Sequence, residues 1–233
     1  MMLRKWEALP ENMRTDAVRP YYELLEKKQG ALLLKRVFDV AVSAVMLLFL
    51  SPLFLLLAID IKLDSPGPVF YRQVRVTQYG ETFRIFKFRS MVSNADKIGT
   101  QVPVGNDSRI TRVGKLVRKC RLDEISQQID NFRGTMTFVG TPPEVPKYVA
   151  EYTPEMMATL LLPAGVTSLA SICYKDEDEL LNGAENVDKT YVEQVLPGKM
   201  MYNLDAIKKF SFFGDIKVMF MTVFAVLGKE YTL

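Results

Sequence analysis

Val40 to Ile59 reads VAVSAVMLLFLSPLFLLLAI, twenty residues without a charge. At a rise of ~1.5 Å per residue, a helix of about that length matches a hydrocarbon core of ~30 Å. Pro52, following Ser51 near the middle, changes the reading. Proline removes a backbone donor and crowds the preceding turn, so the stretch is expected to break or kink there, and neither part then crosses a bilayer alone. Both flanks are basic, with Lys27, Lys28, Lys35 and Arg36 upstream and Lys62, Arg72, Arg75, Arg84, Lys87 and Arg89 downstream. Flanking Lys and Arg stay on the cytoplasmic side, so a spanning helix misplaces one flank. A helix-break-helix hairpin that re-enters the same leaflet keeps both inside. The favoured expectation is a re-entrant membrane helix over residues 31–62, with Ser51 and Pro52 at the break and the Ser51 hydroxyl satisfying part of the freed backbone. A single spanning helix and a buried core helix are the alternatives.

Outside this stretch the chain is ordinary. Of 233 residues 48% are hydrophobic and 24% charged, which excludes wholesale disorder and coiled coil, and a mean hydropathy of +0.05 reflects the one apolar concentration. Cys120 and Cys173 make no disulfide framework and suggest a reducing, cytoplasmic setting. The complete absence of histidine excludes Ser-His-Asp and Cys-His hydrolases and His-ligated zinc. Catalysis is left to carboxylates, Lys, Tyr, Ser or Cys, with an oxygen-ligated metal such as Mg2+ allowed.

Charge is unevenly spread. Residues 62–121 hold thirteen basic against four acidic side chains, whereas residues 122–233 hold nine against sixteen. The middle third is therefore the anion-facing part, its partners phosphates on a small molecule or on lipid head groups. The basic residues do not form a nucleic-acid-binding pattern, and no nucleic acid is expected.

The fold class expected is α/β, mostly helical: a monotopic membrane protein with a small cytoplasmic catalytic domain carrying a β-hairpin. Residues 1–30 read as a polar N-terminal segment and residues 63–233 as the catalytic domain. After the turn DSPGPV, the segments VFYRQVRV and ETFRIFKF favour strands joined at Tyr79-Gly80. A basic helix is expected over residues 113–120 and a second over 123–132, ended by Gly134. Residues 149–161 read as helix and 163–172 as loop then strand. The apolar C-terminal stretch, 204–227, is expected to lie in the membrane interface or to pack as core.

The block RITRVGKLVRKCRLDEISQQ, Arg109 to Gln128, carries the chemistry. A basic helix feeds into adjacent carboxylates, Asp123 and Glu124. On a helix such neighbours point ~100° apart, so they should have separate jobs. Asp123 in an opening helical turn beside Arg118, Lys119 and Arg121 is expected to have a low pKa, which suits a nucleophile. From spacing alone, a helix cap with surface ion pairs remains open. The run Asp176-Glu177-Asp178-Glu179 reads as a solvated acidic stretch.

The ordered set KRVFDVAVSAVMLLFLSPLFLLLAI, PGPVFYRQVRVTQYGETFRIFKFRSM, ITRVGKLVRKCRLDE, GTMTFVG and PAGVTSLASI resembles the bacterial sugar transferases, small monotopic phosphoglycosyl transferases acting on polyprenol phosphate. The resemblance covers roughly residues 32–225. It implies that Asp123 attacks the β-phosphorus of a UDP-sugar, releasing UMP and forming a phosphosugar-aspartyl intermediate that undecaprenyl phosphate then resolves, starting a surface glycan at the cytoplasmic face of the bacterial membrane. It implies Mg2+, with Glu124 as ligand or electrostatic partner. Lys87, Arg89, Arg118 and Arg121 are the candidate phosphate contacts. Membrane lipids and glycosyltransferases that extend the product are the further partners implied. Family members usually carry an acidic residue and an arginine where this chain has Thr135 and Pro142, and a basic residue where Leu162 stands. A catalytically weakened membrane scaffold of glycan assembly is therefore the alternative.

Overall fold

The computed structural model describes residues 3–95, 107–174, 186–228 and 231. Helices dominate. They are α1 Arg19–Glu26, α2 Gln29–Asp64, α3 Arg112–Lys119, α4 Gln128–Arg133, α5 Pro146–Val149, α6 Leu169–Cys173, α7 Val187–Thr190, α8 Leu196–Lys208 and α9 Phe212–Val226. Among the described residues, six short strands form three two-stranded sheets. The expected hairpin is split in two: β2 Val74–Val76 pairs with β3 Thr82–Arg84, and β1 Phe70–Tyr71 pairs with β4 Lys87–Phe88, both antiparallel. Tyr79 and Gly80 turn it with φ of +60° and +77°, the left-handed conformation glycine accepts most readily. A parallel pair, β5 Met136–Val139 with β6 Ala164–Thr167, lies behind it.

The 36-residue α2 is long and apolar enough to cross a membrane. Its helical assignment runs straight through Pro52, which corrects the expected break at Ser51-Pro52 at the level of secondary structure. The local reason is visible. Pro52 cannot donate to the Leu48 carbonyl, and the Ser51 hydroxyl does so instead at 2.7 Å.

One stripe of α2 faces the body along the whole helix: Leu32, Lys35, Asp39 and Ser43 are buried in its first half, Leu57 and Ile61 in its second. The recurrence of three and four residues is that of a single helix face. The opposite face exposes Leu48, Phe49, Leu55 and Leu56.

The first half is tied by polar groups. Lys35 Nζ donates to Asp215 of α9 at 2.5 Å and to the Val139 carbonyl at 2.8 Å, and Thr137 donates to Asp39 at 2.6 Å. The second half packs with Phe88 and Val117. Both halves thus dock on one body.

α9 packs by one side on α2, α6 and the β5–β6 pair. It has no fully buried residue and exposes Phe213, Phe220 and Val223. The polar N-terminal stretch contributes to the main core, where Leu3, Leu9, Met13, Val18, Tyr21, Tyr22 and Leu25 are buried with Leu161 and Ile207.

Two further expectations are corrected. Residues 149–161 do not form one helix: α5 ends at Val149 and a 3-10 turn spans Met156–Leu161, because Pro154 lies between them. In 163–172, the strand comes first and gives way to α6, capped by the Ser168 side chain accepting from Ser171 N–H at 2.9 Å.

Candidate active site

Thr111 caps α3 by accepting from Gly114 N–H at 3.0 Å, while Asp64, the last residue of α2, accepts from Val113 N–H at 2.8 Å. The end of α2 therefore fixes the start of the basic helix. A Cβ at Gly114 would lie 1.9 Å from the Ser90 carbonyl oxygen, so glycine is what lets α3 approach the hairpin's exit.

After Cys120 the chain reverses through Arg121, whose φ of +53° is uncommon for a side chain with a Cβ. Leu122 N–H returns to the Val117 carbonyl at 2.8 Å, and Phe88 N–H donates to the Asp123 carbonyl at 2.9 Å. The helix expected from residue 123 starts only at Gln128, after a 3-10 turn over Ile125–Gln127. Asp123 thus sits in a turn pinned between α3 and β4.

Its carboxyl is half-buried, and burial foremost, then the neighbouring Glu124 charge, pushes it above the ordinary aspartate range, against Lys87 and Arg118. This corrects the expectation of a low pKa: no helix opens at Asp123, and burial outweighs the cations. Glu124 shifts the other way. Lys87 Nζ lies 2.7 Å from its Oε1, and that cation, with Arg121 and Arg75 behind it, holds Glu124 low despite burial. The two adjacent acids are pushed apart, which is how one becomes a base or nucleophile while its neighbour stays a fixed charge.

Of the predicted cations, Lys87, Arg118 and Arg121 act on this pair. Arg118 Nε is held by Ser90 Oγ at 2.8 Å. Arg89 is placed differently. It is 5% exposed, with guanidinium donors bound to the carbonyls of Ile61, Ser65 and Pro66 and to Ser93 Oγ, so it closes the C-terminus of α2 rather than facing the carboxylates. Ser51 and Pro52 lie on the exposed middle of α2.

Arg75 was not among the predicted contacts. Gln73 Oε1 takes two of its donors, at 3.1 and 2.7 Å, and the Pro143 carbonyl takes Nη1 at 2.9 Å. The register Tyr71↔Lys87 and Arg75↔Phe83 puts Arg75 and Lys87 on one face of the hairpin, a signal that strand alternation in the sequence already contained.

The divergent positions are internally occupied. The Thr135 hydroxyl turns to the Asp130 carbonyl at 3.2 Å, and Pro142 lines a small cavity beside buried Glu144. Glu144 accepts from the Tyr191 hydroxyl and lies 3.6 Å from Lys199. Among the described residues no cluster of three or more acidic or cysteine side chains could hold a metal by itself. Residues 176–179 lie outside the described residues.

The family model described as bacterial sugar transferase matches residues 30–229. Among curated proteins, the chain is 33% identical over 214 residues to the UDP-N-acetylgalactosamine-undecaprenyl-phosphate N-acetylgalactosaminephosphotransferase of Aeromonas hydrophila, covering 88% of this chain and 48% of the relative. It is 34% identical to the UDP-glucose:undecaprenyl-phosphate glucose-1-phosphate transferase of Escherichia coli K12, covering 82% of this chain and 40% of the relative. A protein of the same description from Caulobacter vibrioides is 33% identical, with 84% of this chain and 70% of the relative covered. The chain spans about half the length or less of the first two. A match over nearly the whole chain, carrying the basic helix, the Asp-Glu turn and the apolar α2 together, places it: this protein belongs to the bacterial sugar transferase family.

Proposed function

We propose that the chain transfers a sugar phosphate from a UDP-sugar to undecaprenyl phosphate, as an α2-anchored enzyme at the cytoplasmic face of a bacterial membrane. The observation that carries this reading is the Asp123-Glu124 turn, where adjacent acids are driven in opposite directions within reach of Lys87, Arg118, Arg121 and Arg75. An ionised Asp123 made more basic by burial is a stronger nucleophile than a free carboxylate. Its Oδ attacks the β-phosphorus of the donor. The bond to the leaving UMP oxygen breaks as the Asp–O–P bond forms, and UMP departs with that electron pair. An oxygen of undecaprenyl phosphate then attacks the same phosphorus, expelling the Asp123 carboxylate and leaving a polyprenyl-diphospho-sugar.

Glu124 stays anionic through both steps, with its Oε1 engaged by Lys87. With Asp123 it offers oxygen donors only, the kind Mg2+ takes as one or two carboxylates completed by substrate phosphates. The residues fit such an ion, which when bound would offset charge on the diphosphate. Lys87, Arg118, Arg121 and Arg75 would grip phosphate oxygens, while Arg89 holds the α2 terminus beneath them.

Both halves of α2 dock on one body and its outer face is apolar, which supports monotopic attachment to one leaflet. The apolar outer side of α9 supports an interfacial position for that helix. The scaffold alternative draws on Thr135 and Pro142. One experiment separates the two. Incubation with candidate UDP-sugars and no lipid acceptor, followed by intact-protein mass spectrometry, should add the mass of one phosphosugar to wild type and none to Asp123→Asn. Absence of both the adduct and UMP release with every UDP-sugar tried, in the presence of undecaprenyl phosphate and Mg2+, would leave only the scaffold.

A further inference from the structure

The hairpin has two faces, and the second carries its own cationic cluster. Strand alternation from the register Tyr71↔Lys87 and Val74↔Arg84 puts Arg72, Arg84, Phe86 and Phe88 opposite Lys87 and Arg75. The Arg72 guanidinium lies 3.4 Å from the Phe86 ring centroid, and that of Arg133, arriving from α4, lies 5.1 Å from the same ring. A guanidinium over an aromatic face is held by the ring quadrupole.

Arg72 Nε and Nη2 donate to the Arg84 carbonyl at 3.2 and 2.6 Å, contacts that leave the charge of the group unbalanced. Among the described residues no carboxylate lies within ion-pair distance of Arg72, Arg84 or Arg133. The one facing them, Asp130, is 2% exposed and accepts from Phe86 N–H at 2.8 Å. Burial foremost holds Arg72 below the ordinary arginine range; Asp130 opposes this, while the Arg133 and Arg84 charges add to it. Like charges held this close call for an anion.

The surroundings identify the anion's source. An aromatic ladder leads from the membrane helix to the cluster: Phe54 of α2 meets Phe88 at 5.2 Å, Phe88 meets Phe70 at 5.0 Å and Phe70 meets Phe86 at 5.4 Å between centroids. Arg36 of α2 donates to the Asn131 and Phe132 carbonyls, immediately before Arg133, and Phe132 is exposed. The cluster therefore belongs to the side of the hairpin that faces α2, and the carboxylate turn to the other side.

We propose that Arg72, Arg84 and Arg133 bind the phosphate of an anionic bilayer lipid, at a site distinct from the carboxylate centre. The proposal rests on α2 being the membrane anchor and adds an orienting contact to it. Held at three points, by α2, by α9 and by this headgroup site, the body cannot roll about the anchor.

The test uses the full chain in neutral detergent, titrated with phosphatidylglycerol or phosphatidylcholine and observed by native mass spectrometry. Wild type should retain phosphatidylglycerol in preference to phosphatidylcholine. The double variant Arg84→Gln/Arg133→Gln, both exposed and so tolerant of change, should bind it about 25-fold more weakly, from roughly fivefold per basic residue. Lys147→Gln/Lys189→Gln removes the same charge from α5 and α7 and should bind as wild type does. Equal loss in that control, or no loss in the arginine variant, overturns the proposal. So does displacement of the lipid by millimolar inorganic phosphate, which would make the site one for free phosphate. A raised KM for undecaprenyl phosphate with unchanged phosphatidylglycerol binding would assign the cluster to the acceptor and overturn it too. Reconstitution into neutral vesicles separates the layers: failure to float with them sinks the anchor reading itself, whereas flotation without anionic preference sinks only this one.

Discussion

The two faces of the hairpin make different use of neighbouring residues. Lys87 points to a half-exposed acid and sets its charge, whereas Phe88, one residue on and 1% exposed, points to α2 and fills the space between Phe54, Phe70 and Val117. One face tolerates an unfavourable arrangement, an acid beside an acid, and the other supplies the packing that holds it in place. The carboxylate pair in this fold is thus held near the surface and supported from behind by α2.

The contrast is sharpest in Asp123→Asn. It should lower UMP release by about 10^4-fold or more, as loss of a nucleophile does. It should also leave the melting temperature equal or higher. The raised pKa means the folded chain binds the Asp123 proton more tightly than the unfolded chain, so ionising it costs stability at neutral pH and the neutral isostere avoids that cost. A large fall in melting temperature would break the comparison.

Phe88→Ala tests the opposite face. Removing a fully buried aromatic should destabilise by about 3–5 kcal/mol, read by thermal or denaturant unfolding in detergent, with activity lost only as folded protein is lost. A stable, folded and inactive Phe88→Ala would show that the packing face takes part in chemistry.

Arg75→Gln should raise the KM for the UDP-sugar about tenfold, the loss of one forked phosphate contact of ~1.4 kcal/mol, with little change in melting temperature. An unchanged KM removes Arg75 from the donor site.

Lys87→Met is modest in stability and the most informative in pH. Breaking a partly exposed pair should cost on the order of 1 kcal/mol at neutral pH. Glu124, whose folded pKa is depressed, contributes stability above its unfolded pKa that disappears as pH falls through the folded value, and this contribution should shrink in the variant. Lys87 also pulls the Asp123 pKa down, so without it that pKa rises and the acid limb of the rate profile should move to higher pH. An acid limb that stays in place would detach Lys87 from both acids.

Much of this was legible in advance. The hairpin, the basic helix, the Gly134 terminus with its φ of +91° and the adjacent acids are local features, written in strand-forming residues, in the basic run and in a glycine where a left-handed turn is needed. The helix start at Asp123 was not legible, because the return of Leu122 to Val117 and of Phe88 to Asp123 depends on partners outside the segment. Arg89 misled for a related reason. In the sequence it is one cation among several beside Lys87, and only the arrival of α2's last turn commits its donors to backbone carbonyls. The N-terminal stretch looked polar, yet its spaced apolar residues enter the main core once α8 and the Leu161 turn meet them.

By itself, the sequence determined the chemical inventory: an imidazole-free chain with paired acids, a cation-rich middle and one long apolar stretch with a proline in it. Those are matters of composition and short-range spacing. Tertiary structure decided which acid is raised and which is lowered, which arginines act on the acid pair and which close a helix, and that α2 stays helical through Pro52. Desolvation and Coulomb energy depend on distances between residues remote in the chain, and no local pattern encodes those distances.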